Sequence, residues 1–294
     1  MKSFIKKVIR RLGRIAFENA FCELAEKMSN TQQEVQILLS RQYKDILARN
    51  IRPLPTFDEV GFRCHSQFEE DGILLYLFAM IGTTNKIAIE ICAGNGIECN
   101  TANLLINHGW NGFLFDGGLS NVEKGREYFA SHKNTFLWPP TFTQAWITAD
   151  NVNEVIRNVG VNGEIDLLSL DIDGMDYWVW KAIDCIQPRV VVCETQNIIG
   201  PDKALTVPYN ANFVIKTSDY HGASLAAMSK LASEKGYRLV GTHRYGFNAF
   251  FIRNGITEDL FPAVPVAVCL QHPYAKHARE VRWPKVKDLE WVKA

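Results

Sequence analysis

Residues 86–96 read Lys86-Ile87-Ala88-Ile89-Glu90-Ile91-Cys92-Ala93-Gly94-Asn95-Gly96. An isoleucine-rich run that breaks into two closely spaced glycines predicts a buried strand, Lys86–Ile91, leaving through a tight turn into a helix. Glycine at such a junction lets the main chain approach a ligand, and the helix N-terminus that follows favours polar or anionic groups. Glu90, near the strand end, offers a carboxylate to a cationic ligand group. Taken alone, the two glycines fit an ordinary α/β turn as well as a binding turn.

Working outward, Ser66 and Glu69 have capping-box spacing just before GILLYLFAMIG at 72–82, so a helix precedes this strand. Downstream, apolar periodicity predicts helices over about 98–108, 121–132, 152–159 and 177–184. These alternate with strands at 112–115, 143–148, 166–171 and 189–194. A long helix at 224–235 is closed by Gly236. Two last strands, 238–242 and 249–253, are split by a turn around Gly246, a connection that joins only antiparallel neighbours. The expected fold is α/β and Rossmann-like: a mainly parallel seven-stranded sheet with an antiparallel last strand, helices on both faces and an N-terminal helical extension. The unbroken run Val190-Val191-Val192-Cys193 suits a strand covered on both faces.

The 294 residues allow one such domain with extensions, divided as 1–55, 56–255 and a tail over 256–294 packed on the domain. Net charge is zero, so the chain carries no overall electrostatic footprint for nucleic acid. Seven cysteines without C-x-x-C spacing, several in apolar runs, argue for reduced thiols and a cytoplasmic location. The longest apolar run is too short to span a bilayer. Ile5, Val8, Ile9, Leu12, Ile15 and Ala16 follow helical spacing, with Lys2, Lys6, Lys7, Arg10, Arg11 and Arg14 between them. That helix packs on the domain or on a second subunit of a homo-oligomer, or lies peripherally on the inner face of a membrane.

Several polar residues fall where α/β folds bind ligands. Asp116, at the end of the second strand, stands where a carboxylate accepts bonds from ribose hydroxyls. Asp150 could read an adenine amino group, although Asp150-Asn151 also suits a plain helix cap. Asp171 and Asp173 lie on one side of the fourth strand's end, and Glu194 ends the adjacent fifth strand. These three could converge on magnesium or calcium, or instead meet basic partners while Asp176 caps a helix. His221, and secondarily His243, could act as general base. One of Trp178 and Trp180 is expected in the core, the other beside a ligand.

Taken together, Ser66-Gln67 with Glu70-Asp71, EICAGNG at 90–96, FDG at 115–117, LLSLDIDG at 167–174, VVVCE at 190–194 and NAFFIR at 248–253 resemble the FkbM-type methyltransferase-like family over about 60–255. The resemblance implies a class I methyltransferase fold and transfer of a methyl group from S-adenosylmethionine to a hydroxyl of a sugar, glycan or natural product. It implies that Glu90, Gly94 and Gly96 hold the methionine portion and Asp116 the ribose, with Asp171 and Asp173 facing the transfer site and Glu194 as their partner. The chain departs from the family pattern at Cys92, usually glycine, and at Thr195-Gln196-Asn197, where an aromatic followed by Asn is usual. Two other classes use similar residues: a non-catalytic binding or scaffold protein, and a nicotinamide-dependent oxidoreductase. The closing strand pair and the acid cluster favour methyl transfer over the latter.

Overall fold

The structure, a computed structural model, describes residues 27–294. The basic stretch over 2–16 lies outside the described residues. The chain divides into a unit ending at Ile51 and a unit Arg52–Ala294. In the first, residues 27–48 form a helix. Among the described residues no helix is long and apolar enough to cross a membrane.

The second unit is built on seven strands: β1 (Ile87–Ile91), β2 (Asn111–Asp116), β3 (Thr141–Gln144), β4 (Gly163–Leu170), β5 (Ile186–Glu194), β6 (Tyr237–Thr242) and β7 (Asn248–Arg253). Their order is β3-β2-β1-β4-β5-β7-β6. β1 to β5 are parallel, and β7 is antiparallel to both β5 and β6. This is the expected mainly parallel sheet with an antiparallel last strand. The helices around it are α1 (Glu70–Ile81), α2 (Ala102–His108), α3 (Leu119–Ser131), α4 (Val152–Asn158), α5 (Asp176–Ala182), α6 (Leu225–Glu234) and α7 (Pro273–Val281). Strand order reverses between β1 and β4, which opens a crevice beyond their carboxyl ends.

Helix α1, EDGILLYLFAMI, is buried along its whole length, as an all-round apolar helix must be. The expected capping box does not form. Ser66 Oγ accepts instead from Asp71 N at 3.1 Å, and Asp71 Oδ2 accepts from the main-chain N–H groups of Cys64, His65 and Ser66 at 2.6, 2.6 and 2.8 Å. A carboxylate in the first turn gathers these donors more strongly than a neutral hydroxyl can. The turn from α1 into β1 is fixed likewise by Asp166 of β4, which is fully buried. It accepts from the main-chain N–H groups of Thr84, Asn85 and Lys86 and pairs with Arg189 Nε at 3.1 Å.

β3 ends earlier than its sequence suggests. Beyond Gln144 the chain turns toward α4, with Thr148 N donating to Asn151 Oδ1 at 2.8 Å. The 256–294 stretch belongs to the second unit. Its Ala278 and Val286 join Ile198 and Ile199 in a small apolar cluster, and Val292–Lys293 pairs antiparallel with Leu205–Thr206.

Candidate active site

The glycine turn follows β1 directly. Gly94 has a φ of 57°, and a β-carbon added there would meet nothing within 4 Å, so this stretch of main chain faces open space. Gly96 is different. A β-carbon there would come within 2.7 Å of Phe142 and 3.0 Å of Phe129, so its glycine serves internal packing. Cys92 holds a left-handed φ of 66° and lines the cavity beside Asp116. Burial of the sulfur and the carboxylates of Asp116 and Asp171 push its pKa upward, so it stays protonated.

Asp116 ties this turn to the next. Its Oδ2 accepts from Gly94 N at 2.9 Å, and its Oδ1 accepts from Gly118 N at 2.8 Å and Asn121 Nδ2 at 3.0 Å. Three bonds leave a carboxylate further acceptor capacity. Glu90 is used internally. Buried beneath the turn, it accepts from Asn100 N, Thr101 N and Ser169 Oγ at 3.0, 2.7 and 3.0 Å. It therefore shapes the loop after β1 rather than facing the crevice.

Beside Asp116 lies a cavity of about 80 Å³ walled by Ile91, Gly117, Trp146, Ile147, Met175 and Phe213. Trp146 packs on Gly117, where a β-carbon would approach its ring to 2.9 Å. Apolar walls with a carboxylate at one end suit a flat heteroaromatic ring joined to a hydroxylated group. The segment 207–213 borders this slot. It is pinned by Trp178 Nε1 to Val207 O at 2.9 Å, Tyr209 Oη to Asp150 Oδ2 at 2.6 Å and Trp146 Nε1 to Ala211 O at 2.8 Å. Asp150 thus anchors that segment and does not line the slot. Trp180 is in the core and Trp178 is half-buried.

On the other side of residues 171–173 is a second cavity of about 400 Å³. Asp171, Asp173, Glu194 and His221 face it, with Phe68, Phe247 and Tyr274 as aromatic wall. The closest acid grouping is Asp171, Asp176 and Glu194, whose oxygens lie within 4.8 Å of one another. Asp176 takes the place expected for Asp173, which is exposed in a left-handed turn (φ 53°). Asp176 is fully buried and accepts from Ile172 N at 2.9 Å and Gly174 N at 3.1 Å. Burial raises its pKa to about 6 against these bonds. Burial and neighbouring carboxylates raise both other groups well above the usual carboxylate range, Asp171 through Glu194 and Asp176, and Glu194 through Asp176 and Asp173. Glu194 Oε2 has no hydrogen-bond partner among the described residues.

His221 Nδ1 lies 3.0 Å from Gln196 Nε2, which also donates to Ser218 O at 3.2 Å. With the amide donating, Nδ1 accepts and Nε2 carries the proton, 3.6 Å from Glu194 Oε1. Burial lowers the pKa of His221, so the ring is neutral. His243 does not line this cavity: it packs behind the Phe68 and Phe247 rings, buried beside Glu70, with its pKa lowered to about 4 by burial.

Trp146, Gln196, Asp176 and the tail residues Tyr274 and Arg282 were not foreseen from sequence. The sequence does place Asp176 within the same acid run, where its spacing suits a helix cap.

No family model and no curated protein matches the chain. Solved structures do. The magnesium protoporphyrin IX methyltransferase ChlM from Synechocystis PCC 6803 with bound S-adenosylmethionine is 12% identical over 63% of this chain and 78% of its own, with a TM-score of 0.40. The glycopeptide N-methyltransferase MtfA complexed with S-adenosylmethionine is 9% identical over 68% and 98%, with a TM-score of 0.41. The CcbJ methyltransferase from Streptomyces caelestis is 14% identical over 60% and 92%, with a TM-score of 0.38. At these scores none of them assigns chemistry to this chain.

Proposed function

We propose that this chain is an S-adenosylmethionine-dependent methyltransferase acting on a hydroxyl of a sugar, glycan or natural product. The observation that carries the reading is the pair of cavities meeting at residues 171–173: an apolar slot ending in Asp116, and a chamber lined by acids and aromatic rings. Trp146, Ile147 and Met175 would hold the adenine ring, Asp116 the ribose, and the open main chain at Gly94 the methionine portion. The bound cofactor supplies an electrophilic methyl group on a sulfonium. The chain's own residues supply orientation and a place for the hydroxyl proton.

Glu194 is the best placed base, since its Oε2 is buried, unpaired among the described residues and beside the acceptor chamber. The accepting nitrogen of His221 is occupied by Gln196, which makes His221 a positioning partner for Glu194. Asp173, exposed at the chamber wall, would contact the acceptor. Asp171, Asp176 and Glu194 crowd closely enough that protons or a divalent cation must balance them, and magnesium held there would lower the acceptor's pKa.

Isothermal titration of the folded chain with S-adenosylmethionine and its demethylated product tests the reading. Binding that weakens in Trp146→Ala is expected; no binding of either ligand overturns it. Retained activity under chelation would remove the cation and leave Glu194 as the base.

A further inference from the structure

The loop 132–140 between α3 and β3 holds an apolar tip in water. Phe136, Leu137 and Trp138 are 53%, 82% and 75% exposed. The loop is wound by its own hydrogen bonds. Thr135 N and Phe136 N donate to His132 O at 3.0 and 2.9 Å, and Trp138 N donates to Thr135 O at 3.0 Å. Thr135 is buried, and its hydroxyl donates to Phe129 O at 2.7 Å. Thr135 is thus turned inward while three large apolar side chains point outward, which an ordinary surface loop does not do. Pro139 and Pro140 stiffen the exit into β3.

We propose that this tip inserts into the interface of an anionic lipid bilayer. A protein partner fits it less well. Three side chains on a convex turn fall far short of the roughly 800 Å² per partner of a stable protein interface. The neighbouring sheet edge is also closed to strand addition. The Arg126 guanidinium covers Phe142 O at 2.9 and 2.6 Å, and the two prolines offer no N–H. Tryptophan and phenylalanine beside leucine is the composition of an interfacial anchor. Lys133 is exposed in the same loop. The sequence ahead of the described residues adds Lys2, Lys6, Lys7, Arg10, Arg11 and Arg14, with no acid before Glu18. One apolar anchor is weak, and a basic segment supplies the second signal that stable attachment needs.

The tip precedes β3 and so sits at the amino ends of the parallel strands, whereas the crevice opens at their carboxyl ends. Attachment through the tip turns the crevice toward water. The ligands of that crevice then arrive from the aqueous phase rather than from the lipid that holds the chain.

The test is co-sedimentation of the full chain with phosphatidylcholine vesicles, with and without a third of phosphatidylglycerol. Binding to the anionic vesicles is expected, weakened by salt, and reduced about tenfold or more in Leu137→Asp/Trp138→Asp. Both positions face outward, so the melting temperature should hold. Should the double variant unfold, Leu137→Ser is used in its place. Quenching of tryptophan fluorescence by brominated lipid should fall in Trp138→Phe. Absence of binding, binding unaffected by the tip variants, or a solution dimer that the tip variants split would each overturn the proposal.

Discussion

Asp166 and Asp171 stand a few residues apart along one strand, and their surroundings are opposite. Asp166, toward the amino end of β4, is fully buried with three main-chain N–H donors and Arg189 as counter-charge. Asp171, just past the carboxyl end, meets Glu194, Asp176 and Asp173, with no cationic side chain among the causes that shift it. A satisfied buried carboxylate stabilises its surroundings, because removing it strands both the donors and the arginine. A cluster of like charges does the reverse, and is retained where protons or cations must be handled. One end of the strand holds the fold together while the other holds unrelieved charge.

The largest expected effect lies at the stabilising end. Asp166→Ala should cost about 3 kcal/mol in chemical denaturation, since it removes the buried counter-charge of Arg189 and the shared acceptor of three main-chain N–H groups in the turn before β1. A loss below about 1 kcal/mol would break the contrast. At the reactive end, Glu194→Gln should lower methyl transfer about 100-fold, near 2.7 kcal/mol, with cofactor affinity unchanged by titration. Wild-type activity should climb with pH as Glu194 gives up its raised proton.

Stability should move the other way with pH. A carboxyl whose folded pKa is raised binds its proton more tightly in the folded chain. Its contribution is therefore full below the ordinary value and drains as pH rises, for Asp176 from 3.8 through about 6. Asp171→Asn should raise stability at pH 7.5 by about 1 kcal/mol and flatten this slope, measured by melts across pH. A destabilised Asp171→Asn would mean that a bound cation already balances the cluster. Smallest is Cys92→Gly, which removes a left-handed side chain and should stabilise by about 0.5 kcal/mol. A loss there would show that the thiol is held by contacts worth more than its strain.

Much of this is legible in the amino-acid sequence. Apolar periodicity located all seven strands, and only β3 was misplaced appreciably, because its last residues turn away toward α4. Asp116 and the Gly94 turn were placed at one crevice and do meet, through a bond from Gly94 N. The structure adds protein partners to several groups that the sequence offers to a ligand. Glu90 looked like a ligand group, but its donors are Asn100, Thr101 and Ser169. Gly96 reads as a ligand contact, and in the structure Phe142 and Phe129 crowd the side on which a β-carbon would stand. His221 looked like a free imidazole, but Gln196 occupies its accepting nitrogen.

The sequence by itself determined the strand–helix alternation, the closing antiparallel pair and the acids at the strand ends, since these follow from periods of two and 3.6 residues and from turn chemistry. Only the tertiary structure decided that Asp176 rather than Asp173 joins Asp171 and Glu194, and that the 256–294 tail lends Tyr274 and Arg282 to the wall of the larger cavity beside them. Which oxygen faces which depends on a left-handed turn at Asp173 and on segments far apart in sequence being packed together, and neither leaves a periodic trace in the chain.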